Sequence, residues 1–233
     1  MKKLKVSLLA TGAALALAGA AHADDARPLG LVFNVGAATD YVFRGVSQTM
    51  GNGEAFGGAD VTLGKIGYAG AWVSNVDFGD STSMEYDVYA GVKPVLGPVT
   101  FDFGAIRYGY TKIPDAAEWT YWEFKGAGSM PVGPATVGAA FFYSPNTTGP
   151  GKIKSYYYEL NGALPIPNTK LSVSGALGRQ AFDGAGDYTT WNAGVGYALT
   201  SAVGLDLRYW DTNEHGFGKN YKARIVGSLK VSF

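Results

Sequence analysis

The chain has 233 residues, with 19 basic and 19 acidic side chains and only 16% charged residues in all. That length suits one domain, and the even charge balance excludes the basic surface that nucleic-acid binding requires. Cysteine is absent, so no disulfide framework holds the fold.

Met1 to Ala23 reads as a secretory signal peptide. Lys2, Lys3 and Lys5 form a positive start, Val6 to Ala20 is apolar and small, and Ala21-His22-Ala23 fits a small-x-small cleavage site. The apolar run is shorter than the ~20 residues that a membrane-spanning helix needs. The mature domain is therefore expected over residues 24–233. Losing three lysines leaves 16 basic against 19 acidic residues, a balance of −3.

The rest of the chain alternates. Twelve segments carry a period of two: near 31–44, 54–64, 67–78, 83–95, 98–110, 118–129, 134–144, 154–164, 169–179, 187–199, 202–211 and 220–233. Each is long enough for a tilted membrane strand of ~9–11 residues. Near 67–78 the apolar face is Tyr68, Gly70, Trp72, Ser74, Val76 and Phe78. Near 83–95 it is Met84, Tyr86, Val88, Ala90 and Val92. Near 154–164 it is Tyr156, Tyr158, Leu160 and Leu164, and near 202–211 it is Val203, Leu205, Leu207 and Tyr209. Near 134–144 the run Ala139-Ala140-Phe141-Phe142 blurs the two faces. The last segment, Tyr221 to Phe233, puts Ile225, Leu229, Val231 and Phe233 on one face and Lys222, Arg224, Ser228 and Lys230 on the other. An amphipathic edge of that kind is an aggregation hazard unless it pairs with the first strand and closes a barrel.

The connections fall into two alternating kinds. Five are tight and rich in turn residues: Gly64-Lys65-Ile66-Gly67, Leu96-Gly97-Pro98, Met130 to Pro134, Leu164 to Asn168, and Leu199-Thr200-Ser201. Six are mostly longer and more polar, beginning with Gly45 to Gly53. This asymmetry predicts an all-β protein: a transmembrane, antiparallel, up-and-down β-barrel of about 12 strands with both termini periplasmic. Aromatics near the loops (Tyr41, Phe43, Phe78, Tyr108, Tyr110, Trp119, Tyr143, Tyr188, Tyr209 and Trp210) are expected as an interfacial belt. A secreted β-sandwich with an ordinary aromatic core is the competing architecture.

The stretch Asn34 to Thr49, and above all Asp40-Tyr41-Val42-Phe43-Arg44-Gly45-Val46-Ser47-Gln48-Thr49, resembles the N-terminal signature of the TorF-family porins of proteobacteria. The resemblance extends over the whole mature chain, but only this motif is sharply diagnostic. It implies an outer-membrane location and a porin role, and it supplies no functional residues. The terminal Phe233 is similar to the C-terminal signal that barrel-assembly machinery reads. From the residues alone, the motif is the end of the first strand running into the first loop. Tyr41 and Phe43 fall on the apolar face, and Asp40, Val42 and Arg44 on the inner one. Arg44 guards the mouth, or the motif simply fixes a turn. Ser47, Gln48 and Thr49 cap that turn or fold inward.

Inward positions predict a basic wall of Arg44, Arg208, Lys222, Arg224 and Lys230, with an acidic wall of Asp60, Asp77, Glu85, Asp87 and Asp102. The competing outcome is that these charges pair across a packed interior. Catalytic signals are thin. His215 stands in a Gly-containing loop with no nucleophile motif nearby. Asp183-Gly-Ala-Gly-Asp187 lacks the further oxygen ligands of a calcium site. Asn146-Thr147-Thr148 matches a glycosylation acceptor by spelling only. The sequence therefore predicts a non-enzyme with no cofactor and no metal: an outer-membrane porin-like channel that passes small polar solutes among lipid and lipopolysaccharide. A closed, plugged barrel with a structural or surface role is the alternative, and an outer-membrane enzyme comes third.

Overall fold

The computed structural model describes residues 29–112, 120–147 and 153–233. The expected signal peptide, 1–23, and Trp119 lie outside the described residues.

Twelve long strands make the wall. They are β1 (Leu29–Ala38), β4 (Glu54–Leu63), β5 (Gly67–Asn75), β6 (Met84–Val92), β8 (Val99–Thr111) and β9 (Tyr121–Val132), then β10 (Ala135–Ser144), β11 (Ser155–Pro165), β12 (Leu171–Phe182), β13 (Tyr188–Ala198), β14 (Val203–Thr212) and β15 (Arg224–Ser232). Among the described residues there are also three two-residue strands: β2 (Val42–Phe43), β3 (Val46–Ser47) and β7 (Val95–Leu96). Consecutive wall strands pair antiparallel, and β1 pairs with β15. The sheet therefore has no free edge, and the sandwich alternative fails. The short connections gather at one end of the barrel. An example is the two-residue step between Val132 and Ala135, where Gly133 takes φ 59 and supplies the left-handed residue that a tight hairpin demands. The longer connections gather at the other end. Here they are the turn end and the loop end.

Strand faces follow the alternation in β6, β11, β14 and β15. Met84, Tyr86, Val88 and Val92 are exposed on the outer face of β6, and Glu85, Asp87 and Tyr89 are buried on its inner face. Strand β5 is inverted relative to expectation. Trp72 and Ser74 are buried inside the barrel, Tyr68 bonds inward to Asp102, and Ala71 faces out. The core lies within the barrel, at the loop end. Tyr41, Trp72, Ile106, Tyr108, Tyr110, Tyr121, Phe142 and Tyr157 form one cluster, and Val42, Trp210 and Val226 form a second. Most of the expected aromatic belt is therefore interior. Tyr41, Tyr108, Tyr110, Tyr188 and Trp210 are buried, Phe43 and Phe78 pack against the cluster, and of the described set Tyr143 and Tyr209 are on the outer face.

The seam between β1 and β15 is the shortest ladder in the wall. Its register runs from Asn34↔Ser232 to Ala38↔Ser228. Phe33 and Phe233 extend it at the turn end by exchanging backbone bonds of 2.9 and 3.0 Å, and Thr39 extends it at the loop end by donating to Gly227 O at 2.9 Å. Beyond Thr39 the chain leaves the wall, while β15 continues back to Arg224.

Candidate functional site

Past Thr39 the chain turns into the barrel. Val42 pairs with Ser47 and Phe43 with Val46, so β2 and β3 form a hairpin whose two-residue turn is Arg44-Gly45. Both turn residues have positive φ, 50° for Arg44 and 83° for Gly45, as a type I′ turn requires. For arginine this left-handed conformation costs about 1–2 kcal/mol. Gly45 allows no substitute, because an added Cβ would lie 2.1 Å from Thr190 Oγ1 and 2.9 Å from Thr212 Cγ2. The hairpin tip thus touches the β13–β14 side of the wall.

Arg44 repays the strain with a dense set of contacts. Its Nη1 and Nη2 donate to the two carboxylate oxygens of Glu123 at 2.9 and 2.8 Å, and Nη1 also donates to Gln180 Oε1 at 3.1 Å. Its guanidinium lies 4.2 Å from the ring centroid of Tyr157, 4.7 Å from that of Phe43 and 4.8 Å from that of Phe142. Both partners of the ion pair are buried. Burial alone would disfavour the cation, but Glu123 and the neighbouring tyrosines outweigh it and hold the Arg44 guanidinium above its ordinary value. Glu123 sits on β9, five strands around a wall of twelve from β1. The hairpin therefore spans the bore.

The base of the hairpin is fastened as firmly. Asp40 Oδ1 accepts from Ser47 Oγ at 2.7 Å and from Thr49 Oγ1 at 2.8 Å, and Asp40 Oδ2 accepts from Arg224 Nη1 at 2.5 Å. Tyr41 OH donates to Glu85 Oε1 at 2.8 Å, and its ring meets Trp72 edge-on at 5.4 Å. Gln48 O accepts from Asp77 N at 2.8 Å. The whole 40–49 stretch thus forms one inward-folded unit. Tyr41 and Phe43 belong to the interior and not to the outer apolar face, because the strand ends at Ala38 and the alternation has no sheet to continue in.

The predicted charge positions separate into three groups. Arg208 and Arg224 on β14 and β15 do point inward, but each is paired. Arg208 bonds Asp206 at 3.0 and 2.9 Å, Asn192 at 2.6 Å and Ser174 at 2.8 Å. Asp60 accepts from Tyr89 OH at 2.6 Å, and Asp102 from Tyr68 OH at 2.7 Å and Lys125 Nζ at 2.5 Å, with Lys93 Nζ 3.8 Å away. Lys230 is half-buried on the inner face of β15. Glu85 and Asp87 are buried beside the hairpin, and neither Asp87 oxygen has a partner among the described residues. Three positions fall elsewhere. Arg44 reaches the far wall and adds nothing to the β14–β15 side. Lys222 is exposed ahead of β15. Asp77 stands past the end of β5, in the connection to β6, where its Oδ1 caps Gly79 N at 2.9 Å. Arg208, Arg224 and Asp102 thus each have an opposite charge beside them.

Sequence reasoning missed Glu123 and Lys125. The signal was present: Tyr121, Glu123 and Lys125 alternate with Trp122 and Phe124. The remaining candidates are peripheral. His215 is exposed and shares a 2.6 Å contact with Asp211. Asp187 pairs with Arg179 at 3.1 Å, and Asp183 lies 4.0 Å from Lys154.

Between the clamp and the β11–β13 wall is a cavity of about 140 Å³, lined by Phe43, Arg44, Tyr121, Glu123, Gln180 and Tyr188 among others. Toward the turn end the inner faces carry Asp60, Asp102, Lys125 and Lys230.

The model of a bacterial protein family of unknown function, Gcw_chp, matches residues 22–232. No curated protein matches. Among solved structures the chain is similar to the KdgM porin, with a TM-score of 0.61 at 8% identity over 87% of this chain and 99% of that one. It is likewise similar to the NanC porin, with a TM-score of 0.59 at 11% identity over 88% of this chain and 99% of that one. A further KdgM structure, in complex with disordered oligogalacturonate, gives 0.60 at 9% identity over 87% and 98%. At such identities the likeness is one of fold.

Proposed function

The chain belongs to the Gcw_chp family of bacterial proteins of unknown function, and on that premise we propose that it is an outer-membrane, porin-like channel whose constriction is the 40–49 hairpin. The single observation that carries this reading is a closed barrel, apolar outside, with a polar bore crossed by an inward-folded first loop. In lipid every backbone polar group must be satisfied internally, and a closed twelve-strand wall does this. The two porins of like fold support the same reading. The TorF-porin resemblance of Asp40 to Thr49 belongs to it too, since that stretch builds the constriction.

In this reading residues 1–23 direct export and 24–233 insert, with both termini and the turn end in the periplasm. The outer face meets lipid and lipopolysaccharide, and Phe233 marks the chain for the assembly machinery. No catalysis is involved. Asp60, Asp102, Arg208, Arg224 and Lys230, with Lys125, border the water path. Their pairing leaves a weak preference between anions and cations, and small polar solutes diffuse passively. Planar-bilayer recordings of the refolded protein test this. Discrete conductance steps are expected, with a modest reversal potential in a salt gradient.

One feature favours the plugged barrel as a second reading. The Arg44–Glu123 clamp, packed against Phe43, Phe142 and Tyr157, crosses the loop-end bore. Silence of the wild type together with conductance of a clamp-broken variant would identify a gated plug. Silence of both would identify a structural barrel.

A further inference from the structure

The cavity beside the clamp has the chemistry of a ligand site. On one side are aromatic rings: Phe43 from the hairpin, Phe182 and Tyr188 from the wall, and Tyr221 from the loop. Tyr188 and Tyr221 meet edge-on, with centroids 5.3 Å apart and planes at 88°, and so form a corner. On the other side are planar hydrogen-bonding groups, Glu123 and Gln180, fixed by Arg44. Arg44 Nε is buried and has no partner among the described residues. Rings that cover C–H surface, combined with a few oriented polar groups, define a small-molecule pocket.

The charge state selects the ligand class. Arg44 is the cation of this cavity, and it is already spent. Glu123 takes two of its nitrogens, Gln180 shares one, and three aromatic rings surround its plane. An anionic solute entering here would lose hydration and meet no free positive charge. A neutral polyol would lay its C–H face on the rings and its hydroxyls on Glu123 and Gln180. The cavity of about 140 Å³ restricts the ligand to a small molecule of about one ring. We propose that this cavity binds a neutral pyranose, one ring at a time, at the constriction. The proposal deepens the channel reading by naming a solute class, and its test does not depend on conduction.

Binding of methyl glucoside and of glucuronate to the detergent-folded full-length barrel would be compared by saturation-transfer NMR and calorimetry. Methyl glucoside should bind, and glucuronate should bind about tenfold more weakly, the cost of one uncompensated polar contact. Tyr221→Ala removes one wall of the corner from outside the barrel strands, and Gln180→Ala removes a polar partner. Each should weaken methyl glucoside by a similar factor, while Lys65→Ala, exposed in the turn between β4 and β5, should leave it unchanged. Equal or tighter binding of glucuronate would overturn the proposal, and so would a Tyr221→Ala barrel that binds methyl glucoside as the wild type does. Absence of binding by a conducting barrel sinks the site and leaves the channel standing. Binding by a barrel that never conducts sinks the channel and leaves the site.

Discussion

Replacing Arg44 by alanine tests the constriction most directly. The substitution leaves Glu123 buried, with Tyr108 OH at 3.1 Å as its remaining donor among the described residues. Breaking a buried ion pair from one side costs about 3–5 kcal/mol, and here the stacking on Tyr157, Phe43 and Phe142 goes with it. The loss falls on the hairpin and not on the wall, because every wall ladder is formed by other residues. At about 1.4 kcal/mol per factor of ten, the balance between docked and released hairpin shifts by roughly two to four orders of magnitude. The expected phenotype is a barrel that folds and shows heat-modifiable migration as before, with larger and noisier single-channel conductance. The chain has no cysteine, so a Ser47→Cys reporter gives clean labelling, and in the Arg44→Ala background it should react with a small thiol reagent that it resists when the clamp is intact. Arg44→Lys keeps the charge but loses the two-pronged fit and should fall between. Unchanged conductance and unchanged labelling would refute the view that this hairpin sets the bore.

Gly45→Ala should mimic the clamp variant, since both the φ of 83° and the 2.1 Å approach to Thr190 forbid a Cβ, and single-channel recordings would register it. Deleting Phe233 removes the backbone pair with Phe33 and the ring contact at 6.0 Å; the quantity of heat-modifiable barrel in the outer membrane should fall, and normal amounts would make the terminal aromatic incidental. Changing Arg208 and Arg224 together to Glu places new negative charge against Asp206 and Asp40, so the reversal potential should move toward cation preference; no movement would remove both from the water path. The mature protein should be strand-rich by circular dichroism only in detergent or lipid, and a monodisperse species in plain buffer would contradict a membrane barrel.

The strand count and the two kinds of connection were legible because a wall between two environments imprints a period of two and a turn at each reversal. Face assignment held where those environments differ, as on β6 and β14. It failed on β5 because the loop-end bore is packed with protein. There Trp72 faces an apolar interior while Ala71 faces out, so composition no longer tells inside from outside. The blur at Ala139 to Phe142 has the same origin, with Phe141 outside and Phe142 inside. The 40–49 motif was visible as a motif, and an inward fold of its end was one of its two readings. Its destination was not, because Glu123 lies 79 residues away from Arg44 and nothing local links them.

The short seam has a consequence for how the molecule folds. Every other ladder in the wall joins neighbours along the chain, and so forms from contacts that are close in sequence. The β1–β15 ladder joins the two extremes: Asp40 and Arg224 are separated by 184 positions, and Thr39 and Gly227 by 188. A barrel therefore grows as a row of inexpensive local hairpins and ends with one contact of very high order. Pairings of that kind govern folding rates, since the entropy of bringing distant segments together is lost before any bond repays it. Only a few residue pairs, reinforced by Phe233 at one end and by the Asp40–Arg224 bridge at the other, reward this last step. Because Asp40 also anchors the hairpin, closing the cylinder and setting its bore become parts of one event. Slippage at the seam would be felt at the constriction.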